Sequence, residues 1–257
     1  MLRGGYDERY FSNLRGEKFF YRVWRVKGAR AVLVLIHALG LHTGRYAWLC
    51  DELSMRGLTC YAVDLYGHGL SDGARGRGAL ADLLDVANKF LQLVSAKERA
   101  TNIFVMGHGV GALIALMATN HVENIKGVLA FSPLAEVVDF SSIPFRLRVS
   151  SILGLKVQIP LIPPRDVEHA DAILEAKADD LVNRKVSAKL LLSILEKLRK
   201  LEGIVAENIS VLYEEGDRFV RGLETFSRLV TNLGERVSYD PEKERIPFER
   251  ILEWVHS

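Results

Sequence analysis

Cysteine is scarce in this chain of 257 residues, which contains two, Cys50 and Cys60. They form no CxxC pair and no cysteine–histidine spacing of the kind that holds zinc, so the sequence predicts neither a disulfide framework nor a structural metal site. Secreted domains that depend on disulfides are much richer in cysteine. The composition therefore favours a reducing compartment, and we expect a cytoplasmic protein.

An excess of one charge sign is also missing. The 34 lysines and arginines nearly balance the 32 aspartates and glutamates, and a net charge of +2 gives no field that would attract nucleic acid. Glutamine occurs only at Gln92 and Gln158, while Lys, Arg and Glu are abundant. This pattern is similar to the composition of thermophilic proteins, with chance in a short chain as the alternative.

Long hydrophobic runs are absent as well. The longest apolar stretch, residues 103–119, is interrupted by His108 and several glycines, and residues 1–5 have no apolar signal core. We therefore expect a chain that is neither secreted nor membrane-spanning.

The hydrophobic content of 49% and charged content of 26% are typical of a folded domain. Residues 18–26 alternate between apolar and polar side chains after a turn at 15–17, which predicts an antiparallel hairpin with residues 6–14. Short apolar runs, typical of strands buried on both faces, then alternate with segments of helical spacing. The predicted strands are 31–36, 58–63, 103–106, 127–131, 209–214 and 237–239, and the predicted helices are 45–56, 79–96, 110–120, 221–232 and 247–256. The alternation predicts a doubly wound α/β fold with a mostly parallel central sheet.

The alternation of predicted strands and helices stops between Ser132 and about Ser187, where several prolines separate apolar and cationic segments. We predict an inserted cap at 133–185, with residues 1–132 and 186–257 forming the core. Within the cap, residues 143–162 combine apolar side chains with arginine and lysine, which predicts an apolar face edged with positive charge. Packing of this face on the core is the favoured interpretation, and peripheral membrane contact is the alternative.

Ligands of open parallel sheets bind outside the carboxyl ends of the strands, so the residues that directly follow each strand are the candidates for a site. One such segment, Gly107 to Gly111, has glycines two positions before and after its centre, which is the spacing of the nucleophile elbow G-x-S-x-G. The central residue is Gly109, which has no side chain to act as a nucleophile.

Together these segments resemble the α/β-hydrolase family, on the branch of monoacylglycerol lipases and lysophospholipases. The resemblance covers nearly the whole chain. Three segments are similar to family motifs: residues 36–46 to H-G-x-G-x-H-x-x-R-Y, residues 64–73 to D-x-x-G-H-G-x-S-x-G, and residues 215–220 to G-x-x-D-x-x-V. Residues 131–133 are similar to the family's strand end before the cap, and residues 180–188 to the segment that returns from the cap to the main domain.

The resemblance implies an ester-hydrolase site without a metal ion or cofactor. Position 109 matches the nucleophile, and Asp217 matches the acid of the catalytic triad. The backbone N–H groups of Leu39 and Val110 match the oxyanion hole. The side chains of His37 and His108 are expected to line the pocket.

Three departures from the family pattern bear on activity. The nucleophile position is Gly109, residues 237–255 contain no histidine to act as the base, and Ala38 stands where the family usually has glycine. The interval 239–254 is also shorter than in the family, and His256 comes too late to match the base. Losses at two distant places favour natural degeneration over an engineered replacement of a serine.

We therefore predict a catalytically inactive hydrolase relative that binds a small apolar or acyl ligand or a protein partner. The first alternative is an active carboxylic-ester hydrolase whose serine was replaced or whose catalytic groups are non-standard. The second is a purely structural or oligomeric role, and the oligomeric state itself is not predicted. Reinstating serine at position 109 separates the inactive from the active interpretation.

Other polar residues at the strand ends have ordinary structural interpretations. A metal site is one interpretation of His37, His68 and His108 with Asp64 or Asp217, but a role in bonding neighbouring loops is favoured. Ser71 and Ser132 are candidates for a substitute nucleophile, but turn formation is the favoured interpretation of both. His42 and Arg45 are interpreted as orientation and packing residues, and Cys50 and Cys60 as packing residues.

Overall fold

The computed structural model describes residues 5–99, 101–119, 122, 124–131, 145–159, 172–200, 204–214, 230–239 and 248–256. Its strands are β1 (Asp7–Ser12), β2 (Lys18–Trp24), β3 (Ala31–Ile36), β4 (Leu58–Val63), β5 (Asn102–His108), β6 (Ile125–Phe131), β7 (Lys156–Gln158), β8 (Lys185–Ser187), β9 (Ile204–Glu214) and β10 (Val230–Tyr239). Its α-helices are α1 (Ala47–Met55), α2 (Leu80–Lys97), α3 (Val110–Thr119), α4 (Phe145–Ile152), α5 (Ala172–Ala178), α6 (Ala188–Lys200) and α7 (Phe248–His256), and a 3-10 turn at Thr43–Tyr46 precedes α1.

Among the described residues, eight strands form one sheet in the order β1-β2-β4-β3-β5-β6-β9-β10. The β1–β2 and β2–β4 pairs are antiparallel, and the remaining pairs are parallel. Every residue of β3 and β4 is buried, because helices cover both faces of the sheet there. The predicted hairpin and the predicted doubly wound α/β fold are confirmed.

One edge of this sheet differs from the prediction. Residues 230–232, predicted to end a helix, belong to β10, and the strand predicted at 237–239 extends back to Val230. Parallel pairing with β9 supplies the backbone hydrogen bonds of this longer strand, and two register shifts interrupt the pairing. Such irregularities disturb the alternation of side chains along a strand, which explains why the sequence pattern was misleading. Residues 221–229 of the predicted helix lie outside the described residues.

The predicted cap is described in part, at residues 145–159 and 172–185. Helix α4 packs against α6, and β7 pairs antiparallel with β8. No residue of α4 is buried, and Phe145, Ile152, Leu153 and Leu155 are each at least half exposed. Packing on the core, the favoured interpretation of this segment, is therefore wrong for these side chains. The cap boundaries at 133 and 185 stay a prediction.

Register within the sheet determines where a site can form. Ile36 pairs with Val63 on one side and with Gly107 on the other, while His108 pairs with Phe131. The carboxyl ends of β3, β4, β5 and β6 therefore lie at one edge of the sheet. Within the described ranges, no helix is both long enough and apolar enough to cross a membrane.

Candidate functional site at the carboxyl ends of the strands

A sharp turn joins β5 to α3 at this edge. Its central residue, Gly109, has φ +57°, donates its N–H to the carbonyl oxygen of Phe131 at 3.0 Å and accepts the N–H of Ala112 at 3.2 Å. This left-handed conformation costs an L side chain free energy that glycine does not pay. The backbone thus adopts a strained turn of the kind that presents a nucleophile in hydrolases of this shape.

The three glycines of the turn differ in the space around them. A Cβ atom on Gly107 would lie 2.3 Å from the carbonyl oxygen of Gly111, and a Cβ on Gly111 would lie 2.4 Å from that of Ile36. Backbone packed this closely cannot accept any side chain. Among the described residues, a Cβ on Gly109 would meet one atom within 4 Å, the Cβ of Ala38 at an ordinary 3.5 Å. The described part of the chain therefore leaves space for a Cβ at position 109, the predicted nucleophile position, although the sequence places no side chain there.

Tyr46 joins the loop after β3 to the residue beside Gly109. Its buried hydroxyl accepts the N–H of Ala38 at 2.9 Å and lies 2.7 Å from Nδ1 of His108. Burial lowers the pKa of His108 to about 3 and raises the pKa of Tyr46, so both side chains are uncharged at neutral pH. Because the hydroxyl already accepts the N–H of Ala38, donation of its own proton to Nδ1 satisfies the buried O–H. The hydroxyl uses its proton and a lone pair in these two bonds.

His37 and His68 are buried beneath this edge, with ring centroids 5.2 Å apart. His37 donates Nδ1–H to the carbonyl oxygen of Ala38 at 2.8 Å and accepts the N–H of Leu65 at Nε2 at 3.0 Å. Nδ1 of His68 donates to the carbonyl oxygen of Tyr66 at 2.8 Å. Burial, the largest cause, lowers the pKa of each imidazole to about 3. Both nitrogens of His37 are thus engaged by backbone groups rather than turned to a ligand.

Asp64 and Ser71 have similar structural roles. The buried Asp64 carboxylate accepts the N–H of Thr43 at 2.7 Å and that of Leu70 at 2.9 Å, which ties the loops after β3 and β4 together. Ser71 Oγ accepts the N–H of Phe20 at 2.9 Å and donates to the carbonyl oxygen of Asp64 at 2.5 Å. These bonds agree with turn formation by Ser71, and they engage its hydroxyl, which is therefore not available to attack a substrate.

The predicted oxyanion donors directly follow Ala38 and Gly109 in the chain. Leu39 follows Ala38 in the loop after β3, and Val110 follows Gly109 as the first residue of α3. Asp217 and Ser132 lie outside the described residues, and His256 is the last residue of α7. In the part of the chain that the structure describes, no group of three histidine, cysteine or acidic side chains is arranged to hold a metal ion.

The turn that carries Tyr46 also contacts the predicted cap. His42 accepts the N–H of Gly44 at Nδ1 and donates Nε2–H to Asp179 at 2.9 Å, while the Arg45 guanidinium lies 2.9 Å from Glu175. His42 and Asp179 are separated by 137 positions, and the sequence analysis identified neither this partner nor Glu175. The sequence predicted no separate role for Tyr46, which belongs to the motif at residues 36–46. The Arg45–Tyr46 pair of that motif was the available sign that this turn has a function.

Comparisons with known proteins support the fold and identify the family of the chain. The family described as "Serine aminopeptidase, S33" matches residues 27–221. The monoglyceride lipase of Homo sapiens is 29% identical over 154 residues, covering 58% of this chain and 50% of that protein. The monoacylglycerol lipase of Mycolicibacterium smegmatis is 26% identical over 238 residues, covering 86% of this chain and 82% of that protein.

A solved structure with the same fold is a soluble variant of monoglyceride lipase from Saccharomyces cerevisiae in complex with a substrate analog. Its TM-score is 0.75 at 19% identity, covering 97% of this chain and 94% of that one. The match to the human relative spans half of that protein's length. The fold predicted from the resemblance is confirmed, and the chain belongs to the Hydrolase_4 family of α/β-hydrolases, related to the monoacylglycerol lipases.

Proposed function

We propose that this protein keeps the scaffold of a monoacylglycerol lipase but binds a small apolar or acyl ligand without hydrolysing it. One observation carries the proposal: Gly109 occupies the nucleophile position of an elbow that has room for a side chain. The sequence adds that residues 237–255 contain no histidine to act as the base. A serine hydrolase needs both groups, because the base removes the proton of the attacking hydroxyl.

The buried histidines near the elbow are poor replacements for that base. A general base works best when its pKa is close to the working pH, and burial lowers the pKa of His37, His68 and His108 to about 3. In addition, Nδ1 of His108 is occupied by the hydroxyl of Tyr46. Activation of a water molecule by these side chains is therefore not part of the proposal.

The ligand class comes from the relatives, which are named monoglyceride or monoacylglycerol lipases. We infer that the ligand has an acyl chain and a small polar head. Cys50 and Cys60 are unbridged and buried, which supports the cytoplasm as the proposed location. A protein partner is the competing occupant of the site.

Ester hydrolysis tests the loss of activity. Purified wild type, Gly109→Ser and Gly109→Ala are assayed against p-nitrophenyl esters of increasing chain length and 1-oleoylglycerol, at moderate and high temperature, with heat-inactivated protein as blank. Gly109→Ala is the matched control because it adds the same Cβ without a hydroxyl. We expect no turnover by any of the three. Turnover by wild type contradicts the proposal, and turnover by Gly109→Ser alone means that a working base is present.

Binding is tested by calorimetric titration with 1-decanoylglycerol below its micellar concentration. Wild type is expected to bind at micromolar concentration, and Gly109→Met, which fills the space beside Ala38, is expected to weaken binding about tenfold. Gly109→Ala controls for the backbone strain of a side chain at this position. Absence of binding by wild type, or equal affinity in all three proteins, contradicts an acyl ligand at the elbow.

A second candidate function is peripheral attachment to a membrane through the cap. The observation that favours it is the exposure of Phe145, Ile152 and Leu153, at 78%, 85% and 65%, beside Arg146 and Arg148. Apolar side chains edged with arginine match an anionic lipid surface. Because single exposed apolar residues are ordinary, the proposal rests on their clustering with the arginines.

Sedimentation with vesicles tests this attachment. Wild type is expected to sediment with phosphatidylglycerol vesicles more than with phosphatidylcholine vesicles, and the double variant Phe145→Asp, Ile152→Asp is expected to stay in solution. Leu14→Asp is the matched control, since Leu14 is a fully exposed apolar residue on the β1–β2 turn. Equal sedimentation of wild type and the cap variant contradicts attachment through α4.

A further inference from the structure

Strand β1 lies at one end of the sheet and pairs with β2. Five of its six residues are exposed, whereas every residue of β3 and β4 is buried. An edge strand can pair with a strand of another chain through the backbone N–H and C=O groups that point outward. β1 is therefore a candidate interface, and its side chains indicate which partner fits it.

The direction of the backbone groups determines which residues of β1 are available for pairing. On β2, Lys18 donates its N–H to the Asp72 carboxylate and accepts the Asp72 N–H at its carbonyl oxygen, both at 2.8 Å. Asp72 follows β4, which lies on the side of β2 away from β1. Because backbone groups of successive strand residues point to alternate sides, the neighbouring Phe19 faces β1, where its partner is Phe11. The odd-numbered residues of β1 thus bond to β2, and the even-numbered ones direct N–H and C=O outward.

The two faces of β1 carry different side chains, because successive residues of a strand point to opposite faces. Asp7 and Arg9 lie on one face and form an ion pair at 2.9 Å, with side chains that are about half exposed. Glu8 and Tyr10 lie on the other face, where Glu8 bonds to the guanidinium of Arg22 on β2 at 3.1 Å. The edge therefore alternates in charge sign along one face and has a neutralised acid on the other.

A second copy of the chain complements this edge. Two identical antiparallel strands are related by a twofold axis perpendicular to the sheet, so the residue on the axis pairs with its own copy. With Glu8 on the axis, Asp7 of each copy lies opposite Arg9 of the other. Tyr6, directly before β1, then lies opposite Tyr10 of the other copy. This register forms two ion pairs between the copies and covers tyrosines that are 41% and 54% exposed.

Registers shifted by one residue are less complementary. An axis at Arg9 places the two Arg9 side chains opposite each other, and an axis at Tyr10 places Arg9 opposite Phe11, so neither forms an ion pair between the copies. Like charges directly opposite each other are destabilising. With the axis at Glu8, the like charges that meet are those of Glu8, and each is neutralised by two hydrogen bonds from Arg22 of its own chain. Charge complementarity therefore favours the axis at Glu8.

We propose that two copies of this chain associate by antiparallel pairing of their β1 strands, with the twofold axis at Glu8, so that one sheet continues through both copies. Tyr6, Glu8 and Tyr10 supply the backbone hydrogen bonds across the axis, and the Asp7–Arg9 pairs fix the register. Because antiparallel pairing reverses the second copy, the carboxyl edges of the two sheets face opposite ways. The inference goes beyond the proposed function and does not depend on whether a ligand binds.

Sedimentation equilibrium of the full chain between about 1 and 200 micromolar tests the association, and wild type is expected to be dimeric at the upper end. Arg9→Asp places a carboxylate opposite Asp7 of the other copy and is expected to weaken the dimer at least about tenfold. The double variant Asp7→Arg, Arg9→Asp reverses both partners, and its dissociation constant is expected to return to within about threefold of wild type. Lys89→Asp is the matched control, since Lys89 belongs to an exposed ion pair on α2 and its variant should dimerise like wild type.

Amide hydrogen exchange followed by NMR locates the interface. After correction for intrinsic rates, the N–H groups of Glu8 and Tyr10 are expected to exchange about tenfold more slowly in wild type than in Arg9→Asp. The N–H of Phe11, which faces β2, should not differ. Asp7→Arg serves as a second single variant, and circular dichroism checks that each variant is folded.

Three results overturn the proposal: wild type that is monomeric throughout the range, a dimer that Arg9→Asp leaves unchanged, and a double variant that dimerises as weakly as the single one. A dimer in which the N–H groups of Glu8 and Tyr10 are unprotected also overturns it, because the copies then associate through another surface.

Discussion

The hydroxyl of Tyr46 lies 2.7 Å from Nδ1 of His108, the residue directly before Gly109. Through the N–H of Ala38, the same hydroxyl also holds the loop that carries the predicted oxyanion donor Leu39. The hydrogen-bonded framework around position 109, the predicted nucleophile position, is therefore present although that position has no side chain. The bonds of Tyr46 to Ala38 and His108 do not involve position 109, so they also stabilise the fold in the absence of a side chain there.

Tyr46→Phe is expected to lower the free energy of unfolding by about 1–3 kcal/mol, because Ala38 N–H and His108 Nδ1 lose a hydrogen-bond partner in a buried place. Urea denaturation followed by circular dichroism measures the change. Tyr10→Phe is the control, since Tyr10 is 54% exposed and its variant should be within about 0.5 kcal/mol of wild type. Equal stabilities of the two variants would refute a structural role for the hydroxyl.

Alanine substitutions at the three glycines of the elbow are expected to distinguish two costs to stability: the clash of a new Cβ with neighbouring backbone, and the strain of a side chain at a positive φ. Gly109→Ala costs about 1 kcal/mol for a left-handed residue in open space. Gly107→Ala and Gly111→Ala place a Cβ within 2.4 Å of backbone oxygens and are expected to cost about 3 kcal/mol or more, or to prevent folding. Thermal unfolding of the three purified variants ranks them. A Gly109 variant as unstable as the other two would show that position 109 is not open.

Much of the fold was predictable because its central strands are short, apolar and locally recognisable. The bounds predicted for β3 and β4, 31–36 and 58–63, are those observed, and α2 is displaced by one residue. Where structure depends on distant pairing, prediction failed. The start of β10 is held by its register with β9, and neither partner has a regular alternation that would reveal it. The exposure of α4 likewise depends on what packs beside it.

The sequence predicted the backbone turn of the candidate site but not the side-chain hydrogen bonds around it. Glycine spacing identified the turn at Gly109, since close packing and a positive φ both require glycine or tolerate little else. The bond between Tyr46 and His108 joins residues 62 positions apart, and that between His42 and Asp179 joins residues 137 apart. Such pairs follow from the packed fold, so a single sequence carries no local signal for them.

Asp64→Asn is expected to destabilise the edge of the sheet by about 2 kcal/mol. The two carboxylate oxygens of Asp64 accept the N–H groups of Thr43 and Leu70, and an amide offers only one acceptor oxygen while turning its NH₂ group toward the other donor. Urea denaturation is again the measurement. Asp85→Asn, at an exposed ion pair on α2, is the control and should change stability by no more than about 0.5 kcal/mol.

Stability is expected to fall in mild acid because three histidines are buried without charge. Burial lowers the pKa of His37, His68 and His108 to about 3, against 6.5 for exposed imidazole. Below pH 6.5 the unfolded chain therefore binds protons that the folded chain does not bind, so the free energy of unfolding is highest above about pH 7 and declines as pH falls toward 3.

Between pH 7.5 and 5.5 each of the three histidines should lower the free energy of unfolding by about 1 kcal/mol, measured by urea denaturation at several pH values. His68→Asn, which can still donate to the carbonyl oxygen of Tyr66, should make the decline shallower by about a third. A stability that does not change between pH 7.5 and 5.5 would mean that these imidazoles take up protons as readily in the folded protein as in the unfolded chain.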